Sequence, residues 1–320
     1  MISRRIIRIK ALQVLYAYFK CDDGSINKHE KDLFHSIEKT YELYHLIFLL
    51  LCDIKRLEQK RLDVAKNRLR PAPEDLTPNL RFVENSIIGQ IDQNNQLIAY
   101  VGKTGIGWAN HPELIKNLHK EIIESELYKT YMQLEKVSLK DEKLLVDKII
   151  TEVFYNSELF YQVLEEQSVF WNDEADFVLS NVSKTIMQFK PEQGANASLM
   201  ELYKSNDDME FAKLLFRKVV LNSKEHLGVI KEFTTNWELE RVAFMDKLIM
   251  QMAIAEILEF PSIPVRVSLN EYIEIAKLYS TRKSNTFVNG ILDKIITRLK
   301  EENKIQKTGR GLLGEEKTEP

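Results

Sequence analysis

Arg4, Arg5, Arg8 and Lys10 open an amphipathic segment that Lys20 closes, and no acidic residue occurs among positions 1–20. The whole chain nevertheless carries a formal charge of -3, so this positive charge is concentrated. A second grouping lies near the other end. Lys283, Lys294 and Arg298 fall within about 40° of Phe287 on a helix of 3.6 residues per turn. Clustered guanidinium and ammonium groups attract polyphosphates, and an aromatic ring among cations suits single-stranded nucleic acid, whose bases stack while its phosphates are neutralised. The chemistry these residues can perform is binding. A solvated basic terminus and a ring that merely widens a core stripe are the plainer alternatives.

Groupings that could catalyse a reaction are missing from the sequence. Gly102-Lys103-Thr104 resembles the end of a phosphate-binding loop, but the glycine that motif requires five residues earlier is Leu97. The six histidines show no metal-ligand spacing beside cysteines. Gly-x-Ser-x-Gly does not occur. Cys21 and Cys52 make no disulfide framework, which suits a reducing cytoplasm. The expectation is a protein that is no enzyme and needs no cofactor or metal.

Positioning these residues falls to helices. The 320 residues include only 11 Gly and 8 Pro, and Leu, Ile, Glu and Lys recur at helical spacing, so the fold class is all-α. No apolar run approaches the ~20 residues of a membrane span, and the basic start leads into an amphipathic helix rather than a secretory signal. One helix is expected from about Ser3 to Lys20, ending at Cys21-Asp22-Asp23-Gly24. A second runs from about Asn27 to Arg68, with its most buried part between Tyr41 and Leu51. Pro71, Pro73 and Pro78 then interrupt the chain.

The stretch from Gly89 to Trp108 reads as the least helical. Helical spacing returns from Pro112 and continues through 141–156, 158–169 and 173–189. A turn at Pro191–Asn196 and a helix from Asp207 to Phe233 follow. Trp108, Trp171 and Trp237 read as core or junction residues. Asn236, Ser268 and Ser284 read as helix caps, Ser268 forming a capping box with Glu271. In the first helix, Leu12, Leu15 and Phe19 should face the core. Arg4 and Arg8 share that stripe, at a helix end where a cation costs about 0.3–1 kcal/mol. The first turns should therefore project beyond the core or stay loose until a partner orders them.

Several runs together resemble the NusB family of transcription antitermination factors. They are Arg4-Arg5 with Ala11-Leu12-Gln13-Val14-Leu15-Tyr16, Asp246-Lys247-Leu248-Ile249, Met252-Ala253-Ile254-Ala255-Glu256, Ile263-Pro264-Val265-Arg266-Val267, Asn270-Glu271, Ala276-Lys277 and Phe287-Val288-Asn289-Gly290-Ile291-Leu292-Asp293-Lys294. The resemblance implies two helical bundle subdomains: an N-terminal one over 1–236, enlarged by an insertion at about 62–206, and a C-terminal one over 237–304. A disordered tail is expected over 305–320. It implies a cytoplasmic, non-catalytic factor that binds boxA of nascent ribosomal RNA together with NusE, a ribosomal small-subunit protein, and helps RNA polymerase pass terminators.

Arg4, Arg5, Arg8, Lys10, Tyr16 and Phe287 would face RNA, with Lys283, Lys294 and Arg298 beside the ring. Asp246 would lie near the NusE surface. Lys283 departs from the pattern, since that position is often acidic in the family. A homodimer is a further possibility, and no membrane partner is implied. A protein-binding scaffold without RNA, and an RNA-modifying enzyme component, are the competing readings. The enzyme reading lacks a downstream catalytic domain.

Overall fold

A computed structural model describes residues 1–21, 24–234, 242–281 and 283–313. Among them every regular element is helical: α1 Arg4–Lys20, α2 Ile26–Lys66, α3 Pro73–Leu76, α4 Ser86–Asp92, α5 Asn95–Thr104, α6 Pro112–Glu124, α7 Glu126–Gln133, α8 Leu139–Lys148, α9 Glu158–Gln167, α10 Ala175–Gln188, α11 Asn206–Leu221, α12 Ser223–Phe233, α13 Phe244–Glu259, α14 Val265–Tyr279 and α15 Ser284–Glu301. The all-α reading holds. No helix among the described residues is long and apolar enough to cross a membrane.

Two compact units emerge, one of Met1 with Glu38–Leu202 and one of Ile2–Ile37 with Tyr203–Pro320. The sequence reading placed its boundary at 236/237 and its extra segment from Leu62. The compact unit instead begins at Glu38, and the 236/237 boundary, with Asn236 and Trp237, lies outside the described residues.

The first unit is built on the apolar middle of α2, where Leu43, Ile47, Phe48 and Leu51 are buried. Two buried tryptophans satisfy their indole N–H groups on the backbone of that helix: Trp108 donates to the Leu46 carbonyl and Trp171 to the Lys39 carbonyl, each at 2.7 Å. The segment from Gly89 to Trp108 corrects the sequence reading, because it lies largely in α4 and α5. Asn85 accepts from the amides of Ile87 and Ile88, and Asn94 from that of Leu97, so two asparagine caps start helices where asparagine suggested turns. Gly105, at φ 69°, ends the second in the left-handed conformation glycine adopts without strain. Gly102-Lys103-Thr104 is the last part of α5.

In the second unit α13 is the central helix. Its residues from Leu248 to Ile257 are all buried, as a helix apolar on every side must be, and it packs against α1, α11, α12, α14 and α15. Its polar groups Asp246, Gln251 and Glu256 are buried with it. Buried polar groups need partners, and this requirement overrides two predicted caps. Ser268 lies inside α14 and donates to Glu256 at 2.7 Å, while Ser284 is the first residue of α15 and donates to Asp246 at 2.9 Å. The single helix expected over 207–233 divides at Asn222 into α11 and α12.

The tail reading also needs correction over 305–313. Lys307 donates to the carbonyls of Ile257 and Phe260 at 2.8 and 3.0 Å, covering carbonyls at the end of α13 that the helix leaves without partners. The Thr308 amide donates to the Pro261 carbonyl at 3.0 Å, and Gly311 sits buried against the same group.

Candidate nucleic-acid interface

Ser3 caps α1 by accepting from the Ile6 amide, and the helix then runs without acid in its first turn. Its arginines find their acids on distant helices. Arg4 Nε donates to Asp208 at 3.0 Å, and Arg5 grips Glu271 through two hydrogen bonds of 2.8 and 2.7 Å. Those bonds hold the Glu271 carboxyl below its ordinary pKa, against the opposing pull of desolvation. Both arginines keep part of their surface in water, with side chains 36% and 49% exposed.

Arg8 is a different case. It donates through Nε and Nη2 to both oxygens of Glu256, each at 2.7 Å, and lies 5.2 Å from the Phe211 ring centre. Ser268 and Tyr272 donate to the same carboxylate at 2.7 and 2.9 Å. Burial works against the guanidinium charge, but the hydrogen bonds and attraction of Glu256 outweigh it and raise the Arg8 pKa. Desolvation and the neighbouring Glu256 push the Tyr272 hydroxyl upward, so it stays a donor.

Two sequence assignments are thereby corrected. Arg8 is 3% exposed and Lys10 is fully buried, so neither offers its charge to a phosphate at the surface. The opening turns of α1 do not project or wait for a partner. Ile6 and Ile7 are buried, and the arginines on the apolar stripe are neutralised by carboxylates more than 200 residues away in sequence.

At the start of α15, Phe287 is half-buried and lines a hollow of about 360 Å³ with Val242, Ala243, Asp246, Thr281, Lys283 and Ser284. Asp246 forms its polar wall, accepting from the hydroxyls of Ser280 and Ser284. Lys283 is exposed at the rim, and neither it nor the exposed Lys294 makes an ion pair among the described residues. The structure does not place Arg298 with this group. It stands eleven residues along α15, about 16 Å from the ring's level by helix rise, and its charge is engaged by Glu232 and by Glu302 at 2.6 Å.

Tyr16 is 41% exposed at the far end of α1, edge-on to Phe244 with ring centres 5.5 Å apart. The Lys20 ammonium rests 4.3 Å from the centre of the Phe244 ring and 5.9 Å from that of Tyr16. The sequence reading named Tyr16 but missed Phe244, although an aromatic residue two positions before Asp246 was visible.

A buried carboxylate-bearing helix, surrounded by helices that leave rings and cations at the surface, defines an all-α helical-bundle protein. Residues 159–297 match the model of the NusB family, so this part of the chain carries a NusB-type domain. Among its relatives are proteins named transcription antitermination protein NusB. That of Salinibacter ruber is 44% identical over 105 residues, covering 33% of this chain and 66% of the relative. That of Chloroherpeton thalassium is 44% identical over 104 residues, 32% of this chain and 49% of the relative. That of Syntrophotalea carbinolica is 49% identical over 86 residues, 27% and 55% respectively.

The chain thus spans about half to just under two thirds of the length of the relatives it matches. The extra N-terminal region fits an insertion. The family match begins at residue 159, within the first compact unit, and so does not place the insertion's end at 206. No solved structure matches the chain.

Proposed function

We propose that this protein is a non-catalytic RNA-binding factor of transcription antitermination. It binds the boxA segment of nascent ribosomal RNA together with NusE, and the assembly lets RNA polymerase read through terminators. The names of its relatives support the antitermination role. The observation that carries the RNA reading is the hollow beside Phe287, where a half-buried ring stands next to Lys283, a cation with no ion pair among the described residues. A ring of this kind stacks an unpaired base while the ammonium takes the neighbouring phosphate.

Tyr16, Lys283, Phe287 and Lys294 form the proposed contact set. Arg4 and Arg5 join it by turning their exposed edges from Asp208 and Glu271 toward phosphates. Asp246 reaches a protein partner only through the hollow it lines.

The deciding experiment is anisotropy of labelled boxA RNA titrated with the full chain, with and without NusE, across a range of salt. Binding should weaken with salt by about 0.7 in log–log slope for each phosphate contacted. NusE binding without RNA binding under any of these conditions would favour a protein scaffold and overturn the proposal.

A further inference from the structure

We infer that Tyr16, Phe244 and Lys20 form a second platform for single-stranded nucleic acid, in which Tyr16 stacks a base, Lys20 holds the adjacent phosphate and Phe244 positions both. The inference rests on the RNA-binding reading above and extends its contact set by Phe244 and Lys20. The argument begins with helix geometry. Tyr16 and Lys20 are four residues apart, so they share one face at the C-terminal end of α1. Phe244 is the first residue of α13, the helix against which α1 packs.

Phe244 meets Tyr16 at 76° between ring planes, an edge-to-face contact that restricts the tyrosine ring without covering it. Tyr16 consequently keeps 41% of its surface in water. Lys20 is exposed and makes no ion pair among the described residues, and its ammonium lies over the Phe244 ring instead. A cation held on an aromatic face keeps its charge and most of its hydration, so it remains able to bind a phosphate. An exposed ring, a second ring fixing its angle and a cation with no ion pair among the described residues supply stacking and charge together. Single-stranded nucleic acid needs that combination, whereas a structured acidic surface would use the cation alone.

The test uses the full chain and a short single-stranded RNA carrying 2-aminopurine at successive positions, with anisotropy and fluorescence read in parallel. Lys20→Gln should lower the log–log salt slope by about 0.7, the share of one phosphate contact. Phe244→Leu should weaken binding about fivefold or more, near the lower end of what one stacked base contributes. It should also relieve quenching of the 2-aminopurine that sits on Tyr16, and Phe244→Tyr should restore both signals. Thermal melting of each variant separates these effects from misfolding, and Lys20→Gln, at an exposed site, keeps the test open if Phe244→Leu is unstable.

Unchanged affinity, slope and quenching in both variants, with Phe287→Ala still weakening RNA, would overturn the platform and leave the RNA reading standing. Absence of RNA binding by the parent chain would overturn both. Loss of a protein partner with RNA binding intact would assign this face to protein and overturn the platform alone.

Discussion

Arg8 and Glu256 are joined by two hydrogen bonds of 2.7 Å, with the guanidinium 3% exposed and the carboxylate fully enclosed. Removing one partner from such a pair leaves the other's charge buried, which costs about 3–5 kcal/mol. Arg8→Ala should therefore lower the urea midpoint of the second unit strongly. Replacing both residues together, Arg8→Met with Glu256→Leu, should recover much of the loss. A variant Arg8→Ala as stable as the parent would mean that the pair does not form in solution.

Phe287 separates a binding role from a packing role. It is half-buried, so Phe287→Ala should cost less stability than the roughly 3–5 kcal/mol of a fully enclosed phenylalanine. Its RNA affinity should fall by about 1–3 kcal/mol if a base stacks on the ring. Urea midpoints and RNA titrations on the same preparation distinguish the two. A loss confined to stability would return the ring to the core.

Lys283 tests the charge at the mouth of the same hollow. Lys283→Asp exchanges attraction for repulsion toward a phosphate, and a tenfold loss of RNA affinity (about 1.4 kcal/mol) at low salt is expected. The loss should shrink as salt rises, because the residue is exposed and screened. Binding equal to the parent at low salt would remove Lys283 from the interface.

In the first unit, His45 is buried, bonds the Tyr41 carbonyl at 2.8 Å and stacks on Tyr100 at 3.8 Å between ring centres. Burial lowers its pKa from 6.5 to about 4, despite the opposing hydrogen bond. Between those values the unfolded chain binds a proton that the folded unit refuses. Stability from this group is thus complete above pH 6.5 and is lost as pH falls toward 4, at up to about 1.4 kcal/mol per pH unit. Melting curves over that window should show a shallower pH dependence for His45→Gln than for the parent.

Gly311 presses on the Pro261 carbonyl so closely that an added Cβ would lie 1.9 Å from its oxygen. Gly311→Ala should lift residues 305–313 from the end of α13 and release the hydrogen bond from the Thr308 amide to Pro261. Hydrogen exchange at Thr308 should then accelerate while the amides of α13's middle stay protected.

Helical spacing, proline and terminal caps act over a few residues, and those parts were legible in the chain itself. The bounds of α1 and α2, the apolar middle of α2 and the helical class all follow from such local rules. The motifs around Asp246, Glu256 and Phe287–Lys294 also carried the resemblance to the NusB family, whose model matches residues 159–297. Charge was legible only as a count. Asp208, Glu256 and Glu271 meet Arg4, Arg8 and Arg5 across separations of 204, 248 and 266 positions, and no local rule pairs them.

Ser268 and Ser284 illustrate the same limit, because each fits a cap by spacing yet serves a buried carboxylate on α13. A helix end can find water for its free amides, whereas an enclosed carboxylate cannot. The sequence alone determined the helical class, the bounds of the first two helices and how many cations open α1. Tertiary structure decided which cations are spent inside the protein, as Arg8 is on Glu256, and which stay at the surface, as Lys20 and Lys283 do, because desolvation forces a buried charge to find its counterion and leaves an exposed one free.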